Sequence, residues 1–197
     1  MKILKKVLLV IAALIGIGAI SGMLMSSKFT MERSIVINAN EQIIFDQVNI
    51  LKNWEKWSPW QKMDPSAKMT YSGPESGVGA GYSWESKNEN MGNGSLFISE
   101  STPYSSITTD LDFQENGKGI SAYKLEKADG GVKLTWSFDS DAGKNPFKKL
   151  MMNLVGKSFM NKTFDEGLNS IKQIAESVPA ATTPSAAAPV DSMAVVK

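Results

Sequence analysis

Between Lys68 and Asp141 the chain passes through six short strand-like runs, around Met69–Tyr71, Gly81–Lys87, Ser95–Glu100, Ser106–Phe113, Gly119–Lys127 and Val132–Asp139. Each run is bounded by turn-forming residues. The connections are short and glycine-rich, as in MGNG (Met91 to Gly94) and ADGG (Ala128 to Gly131). Strands joined by so few residues pair as antiparallel hairpins. The stretch VKLTWSFD gives the facing: Val132, Leu134, Trp136 and Phe138 share one side, and Lys133, Thr135, Ser137 and Asp139 the other. By the same alternation Tyr82 and Trp84, Leu96 and Ile98, Ile107, Leu111 and Phe113, and Tyr123 and Leu125 point inward.

Such a sheet must bury its apolar face against something, and the segment after it supplies the candidate. Pro146 opens a long helical pattern with Phe147, Leu150, Met151, Leu154, Val155, Phe159, Phe164, Leu168, Ile171 and Ala175 spaced by three or four. Met151, Leu154 and Val155 are expected to face the sheet. Ahead of the meander, Phe29–Asn38 alternates as a strand, and Asn40 is placed to cap a helix carrying Ile43, Ile44, Val48 and Leu51. The stretch WEKWSPW, Trp54 to Trp60, holds three of the five tryptophans. Pro59 forces Ser58 out of helical geometry, so the chain must turn there.

The first 27 residues form a separate unit. From Val7 to Met25 no residue is charged, and roughly 20 apolar residues in a helix cross a hydrocarbon core. Lys2, Lys5 and Lys6 precede the run, so the positive-inside rule puts the N-terminus in the cytoplasm and the rest in the periplasm or outside the cell. A cleavable signal peptide is the rival reading, because Ala19 and Ser21 have the spacing of a cleavage site. Met23, Leu24 and Met25 carry the apolar run past that site, which favours a single-pass anchor through residues 7–25. Residues 178–197, rich in Ala, Pro, Ser and Thr, cannot bury enough surface to offset ordering and are expected to be a disordered tail. Residues 28–177 are the folded domain.

Missing residue types exclude whole chemistries. There is no Cys and no His, so thiolate nucleophiles, lipidation, histidine bases and zinc sites built on either are ruled out. No catalytic residue, metal ligand or cofactor site stands out. Without the three leading lysines, 18 basic residues face 20 acidic ones, and no basic cluster is present to neutralise nucleic-acid phosphates. GVGAG, Gly77 to Gly81, lacks the spacing and the lysine of a phosphate loop and reads as a turn. Asp110 and Asp112 fall on the solvent face, as do Glu85 and Glu100.

The order of elements, together with RSIVINANEQIIFDQV (Arg33 to Val48), NWEKWSPW (Asn53 to Trp60), YSGPESGVGAGYSWES (Tyr71 to Ser86) and FDEGLNSIKQIAE (Phe164 to Glu176), resembles the SRPBCC superfamily. These are the helix-grip proteins of START and birch-pollen-allergen type, and the polyketide cyclase/dehydrase-like branch is the nearest match. The resemblance covers about residues 29–176. It implies an α+β helix-grip fold: a seven-stranded antiparallel sheet wrapped around the C-terminal helix, two short helices after the first strand, and an apolar cavity between sheet and helix. On that layout the expected ligand-binding residues are Trp60, Tyr82, Trp84, Leu96, Ile98, Leu111, Phe113, Tyr123, Trp136, Phe138, Met151, Leu154 and Val155. Trp54 and Trp57 are read as packing. The expected partner is a small hydrophobic molecule, such as a lipid, isoprenoid or aromatic metabolite, held by a membrane-tethered carrier. The alternatives are a cyclase or dehydratase using Tyr82, Tyr123 or a carboxylate, and a stress-response or protein-interaction module.

Overall fold

The computed structural model describes residues 2–178, so the tail expected at 178–197 lies almost wholly outside the described residues. Helix α1 (Lys2–Leu24) leads into β1 (Lys28–Ile37). After β1 come α2 (Glu41–Asn49), a single 3-10 turn, α3 (Trp54–Trp57) and α4 (Pro59–Met63). The meander follows as β2 (Lys68–Ser72), β3 (Gly81–Glu85), β4 (Gly94–Thr102), β5 (Ser106–Asp112), β6 (Lys118–Ala128) and β7 (Gly131–Asp141). The C-terminal helix runs as α5 (Pro146–Met151), a π-helical turn (Met152–Gly156) and α6 (Lys157–Ser177).

All seven strands form one antiparallel sheet in the order β1-β7-β6-β5-β4-β3-β2. Five of its pairings are sequential hairpins; the sixth brings β1 alongside β7 over ten register pairs, from Lys28 with Asp141 to Ile37 with Val132. The register of β4 on β5 shifts between Ile98 and Glu100, a bulge of the kind that adds twist and curvature. The curved sheet receives α6, whose buried face is Phe164, Leu168, Ile171 and Ala175. This is the α+β helix-grip architecture.

Local chemistry accounts for the joints. Asn40 Oδ1 accepts the Gln42 amide at 2.8 Å, the cap read from sequence. Asn145 does the same for Phe147 and Lys148, with Pro146 at the first helical position, where its missing N–H costs nothing. Gly77 and Gly79 adopt left-handed backbone, and Gly79 N–H donates to Ile98 O at 2.9 Å. GVGAG is therefore a turn tied to β4. The outward phases of Glu85, Glu100, Asp110 and Asp112 also hold: none points into the core.

One part of the expected helix facing requires correction. Met151, Leu154 and Val155 do not face the sheet: they are 57%, 63% and 54% exposed. Met152, Gly156 and Met160 occupy the inner side instead. Apolar residues cover nearly the whole circumference here, so hydrophobicity does not identify the inner face. The π turn also holds one residue more than an α turn, which rotates the preceding residues by roughly 100° relative to α6.

Candidate functional site

The WEKWSPW segment closes one end of the sheet. Trp54 Nε1 donates to Val48 O at 2.9 Å and Trp57 Nε1 to Gln47 O at 2.8 Å, so both indoles are anchored to the end of α2. Ser58 is extended, as Pro59 demands, and α4 then carries Trp60 back toward the C-terminal helix. Trp60 is half-buried, edge-on to Trp136 and Phe164 at centroid distances of 5.8 and 6.4 Å. Trp57 is pure core; Trp54 is both core and wall.

Between this cap, the concave face of the sheet and the C-terminal helix lies a cavity of about 360 Å³. Nine of the thirteen expected residues line it: Trp60, Tyr82, Trp84, Leu96, Leu111, Phe113, Tyr123, Trp136 and Phe138. Ile98 is fully buried beneath the wall and does not reach the cavity. Met151, Leu154 and Val155 lie on the far side of the helix. Sequence reasoning passed over Phe29, Met69, Phe159 and Phe164, and also the β3–β4 loop, where Glu89 to Asn93 form the rim. Phe29 shares its strand face with Met31, so alternation could have found it; a polar loop folding over a mouth leaves no periodic signal. That loop is held by Ser86, whose Oγ donates to Asp64 Oδ2 at 2.5 Å and whose amide donates to Asn93 Oδ1 at 2.9 Å.

The back wall is a packed aromatic array. Trp136 stacks on Phe164 at 4.0 Å with 9° between planes, and on Tyr123 at 5.1 Å. Its Nε1 donates to Ser121 Oγ at 2.7 Å, and Ser121 passes a bond to Ser137 O at 2.9 Å. The stack requires Gly167: a β-carbon there would stand 2.7 Å from the Trp136 ring. Replacing Gly by Ala within a helix normally gains about 1 kcal/mol, whereas overpacking a closed core costs about 1–3 kcal/mol. Gly167→Ala is therefore expected to lower the midpoint of thermal unfolding and to weaken the near-ultraviolet dichroism of the stacked indole. An unchanged or raised midpoint would show that the stack yields.

Gln61, Asn90, Asn93 and Asn116 are half-buried or exposed; deeper in, the cavity's polar groups reduce to two serines, two phenols and the indole N–H groups. Burial pushes the Tyr82 and Tyr123 phenols well above their ordinary range, so both remain protonated at neutral pH. Trp84 Nε1 is buried with no acceptor among the described residues. Such an orphan donor is costly unless a ligand or water satisfies it. Glu89, on the exposed rim, is the one carboxylate in the lining among the described residues. An aromatic wall with a handful of donors suits a mostly apolar molecule bearing an oxygen acceptor.

Residues 28–176 match the family described as "Polyketide cyclase / dehydrase and lipid transport". A search of curated protein sequences finds no match. Among solved structures the fold is similar to a Staphylococcus aureus protein of unknown function (9% identity, 76% of this chain and 94% of that one, TM-score 0.57). It is also similar to Ara h 8.0201 (17% identity, 75% and 97%, TM-score 0.54). A third similar structure is the di-domain ARO/CYC StfQ from the steffimycin biosynthetic pathway (10% identity, 76% and 51%, TM-score 0.55). At these identities the structural likenesses speak to fold.

Proposed function

The chain belongs to the polyketide cyclase/dehydrase and lipid transport family, and from that premise we propose that it is a membrane-tethered carrier that holds a small hydrophobic molecule outside the cytoplasm. The family membership makes the domain a hydrophobic-ligand-binding or cyclase-type module. The observation that carries the finer reading is the composition of the cavity. Its ionisable groups, among the described residues, are two phenols held protonated and one carboxylate at the rim. A site of this kind can grip and orient, and its interior has donors but no base. The tether rests on α1, which is long and apolar enough to cross a membrane and exposes nearly all of its length. With Lys2, Lys5 and Lys6 on the cytoplasmic side, the domain would face outward, next to the bilayer that stores apolar ligands.

A cyclase-type reading has one observation in its favour. Tyr82 and Tyr123 could donate hydrogen bonds to a ketide carbonyl inside the cavity, and both phenols stay protonated there. Native mass spectrometry of the full chain in mild detergent, with organic extraction of what travels with it, separates these readings. A carrier should co-purify a lipid or aromatic metabolite unchanged. Trp60→Ala should lose that molecule while remaining folded, with a smaller fall in its unfolding midpoint than a fully buried tryptophan would give, because Trp60 is half-buried at the cavity wall. A protein that is empty, and that gains no thermal stability from lipids or polyketide-like aromatics, would sink the carrier reading. Turnover of such an aromatic compound, abolished by Tyr82→Phe or Tyr123→Phe, would establish the enzyme instead.

A further inference from the structure

Phe147, Met151, Leu154 and Val155 form an apolar surface, each residue 45% exposed or more, on the first third of the C-terminal helix. Between Ala142 and Phe164 the chain carries five lysines and no acid; Lys148 Nζ is held by Asn116 O and Lys162 lies 3.9 Å from Glu166, which leaves Lys144, Lys149 and Lys157 to meet headgroups. The segment is thus both apolar and basic. That combination marks a helix that lies in the interface of an anionic membrane.

The contacts with α1 give the depth. A β-carbon at Gly18 would sit 3.7 Å from the Phe147 ring and 3.8 Å from Leu150, and one at Gly22 would collide with the Pro146 carbonyl at 2.0 Å. The start of α5 is therefore seated on the Gly18-x-x-x-Gly22 face of the apolar helix. At 1.5 Å per residue, Gly22 and Gly18 lie about 5 and 10 Å before Met25, where the uncharged run ends. Interfacial helices bury their apolar faces to about that depth.

We propose that α5 and the π turn form a second membrane contact, an interfacial helix that lies in the outer surface of the bilayer spanned by α1. This rests on the tether reading. It goes beyond tethering, because it fixes the orientation of the domain: Met152, Gly156 and Met160 line the cavity from one side of the same helix whose other side carries Met151, Leu154 and Val155. One helical layer then separates the ligand site from lipid. The π turn, a common feature of functional sites, lies in that layer.

The absence of cysteine makes the test direct, since each introduced thiol is unique. The full chain carrying Leu154→Cys, Val155→Cys, Ile15→Cys or Glu126→Cys would be labelled with an environment-sensitive fluorophore. Each would then be reconstituted in phosphatidylcholine vesicles containing phosphatidylglycerol and nitroxide lipids. All four sites are exposed, so labelling spares the core. The Ile15 label should lose its emission to deeply placed nitroxides, which reports the span itself. Labels at residues 154 and 155 should shift to the blue and lose emission to shallow nitroxides, more so as phosphatidylglycerol is added, and the Glu126 label should do neither. Quenching at residue 15 without quenching at 154 and 155 overturns the interfacial contact and leaves the tether intact. A blue shift at 154 and 155 without lipid quenching means that protein covers the surface, and also overturns it. No quenching at residue 15 removes the tether, and the proposal with it.

Discussion

Trp136→Ala is expected to cost about 3–5 kcal/mol of folding stability, the range for removing a large buried aromatic side chain. Trp136 is 3% exposed, stacks face to face on Phe164, and lies against Tyr123, Trp57 and Trp60. Its removal takes the central plate out of the array that joins the sheet to α6. The hydroxyl of Ser121 loses a donor but keeps its bond to Ser137 O, so the polar penalty is small and the cavity term dominates. Against a total stability of about 5–15 kcal/mol, this is a large share. For a domain of this size it corresponds to a fall of roughly 10–15 °C in the unfolding midpoint. Because Trp136 also forms the back wall, the vacated volume joins the ligand cavity. Trp136→Phe, which keeps a ring against Phe164 but cannot reach Ser121, should lose much less. If both variants melt alike, the hydrogen bond rather than the ring carries the stability. If neither loses stability, the stack does not organise the core.

Much of this fold was legible from two periodicities. The alternation in VKLTWSFD marked the inner face of β7, and all four of Val132, Leu134, Trp136 and Phe138 are buried. Turn residues delimited the other strands of the meander to within one or two residues, because a hairpin leaves the chain little freedom between its strands. The cap at Asn40 and the break at Pro59 are local chemistry and could be read locally. What the sequence hid was the phase of the C-terminal helix before Phe164. There the apolar residues serve two surfaces, Met152 and Met160 the cavity and Leu154 and Val155 the outside, and a π turn resets the rotation between them. Composition has no sign for which surface an apolar side chain serves. The rim of the cavity was hidden for a different reason: Glu89 to Asn93 belong to a mostly polar loop whose one apolar residue, Met91, has no periodic partner, and the bonds of Ser86 with Asp64 and Asn93 help bring it to the mouth.

The two cavity phenols lead to the second large effect, on alkaline stability. Burial is the main cause raising both Tyr82 and Tyr123, while in the unfolded chain each titrates near the ordinary value of about 10. Below pH ~10 both states hold both protons, and the phenols make stability independent of pH. Above it the unfolded chain releases the protons of these two phenols, which the folded protein retains. The unfolded state then binds fewer protons, and stability falls as pH rises, by about 1.4 kcal/mol per pH unit for each phenol and about 2.7 for the pair. The loss continues until the folded values are reached. Denaturant unfolding at a series of pH values from roughly 9 to 11 should show the fall steepening from near zero toward that limit, with about 1.4 kcal/mol lost per phenol over the whole interval. The double variant Tyr82→Phe, Tyr123→Phe should be flatter by the same amount, whatever the lysines contribute. Equal slopes in the two proteins would mean that the phenols reach solvent in the folded state. The same protonation links stability to the site, because a phenol that cannot ionise before the domain opens is a fixed hydrogen-bond donor. Ligand binding should accordingly be level through neutral pH and decline only along the alkaline unfolding limb. An ionisation within the folded cavity would instead cut binding while the fold survived.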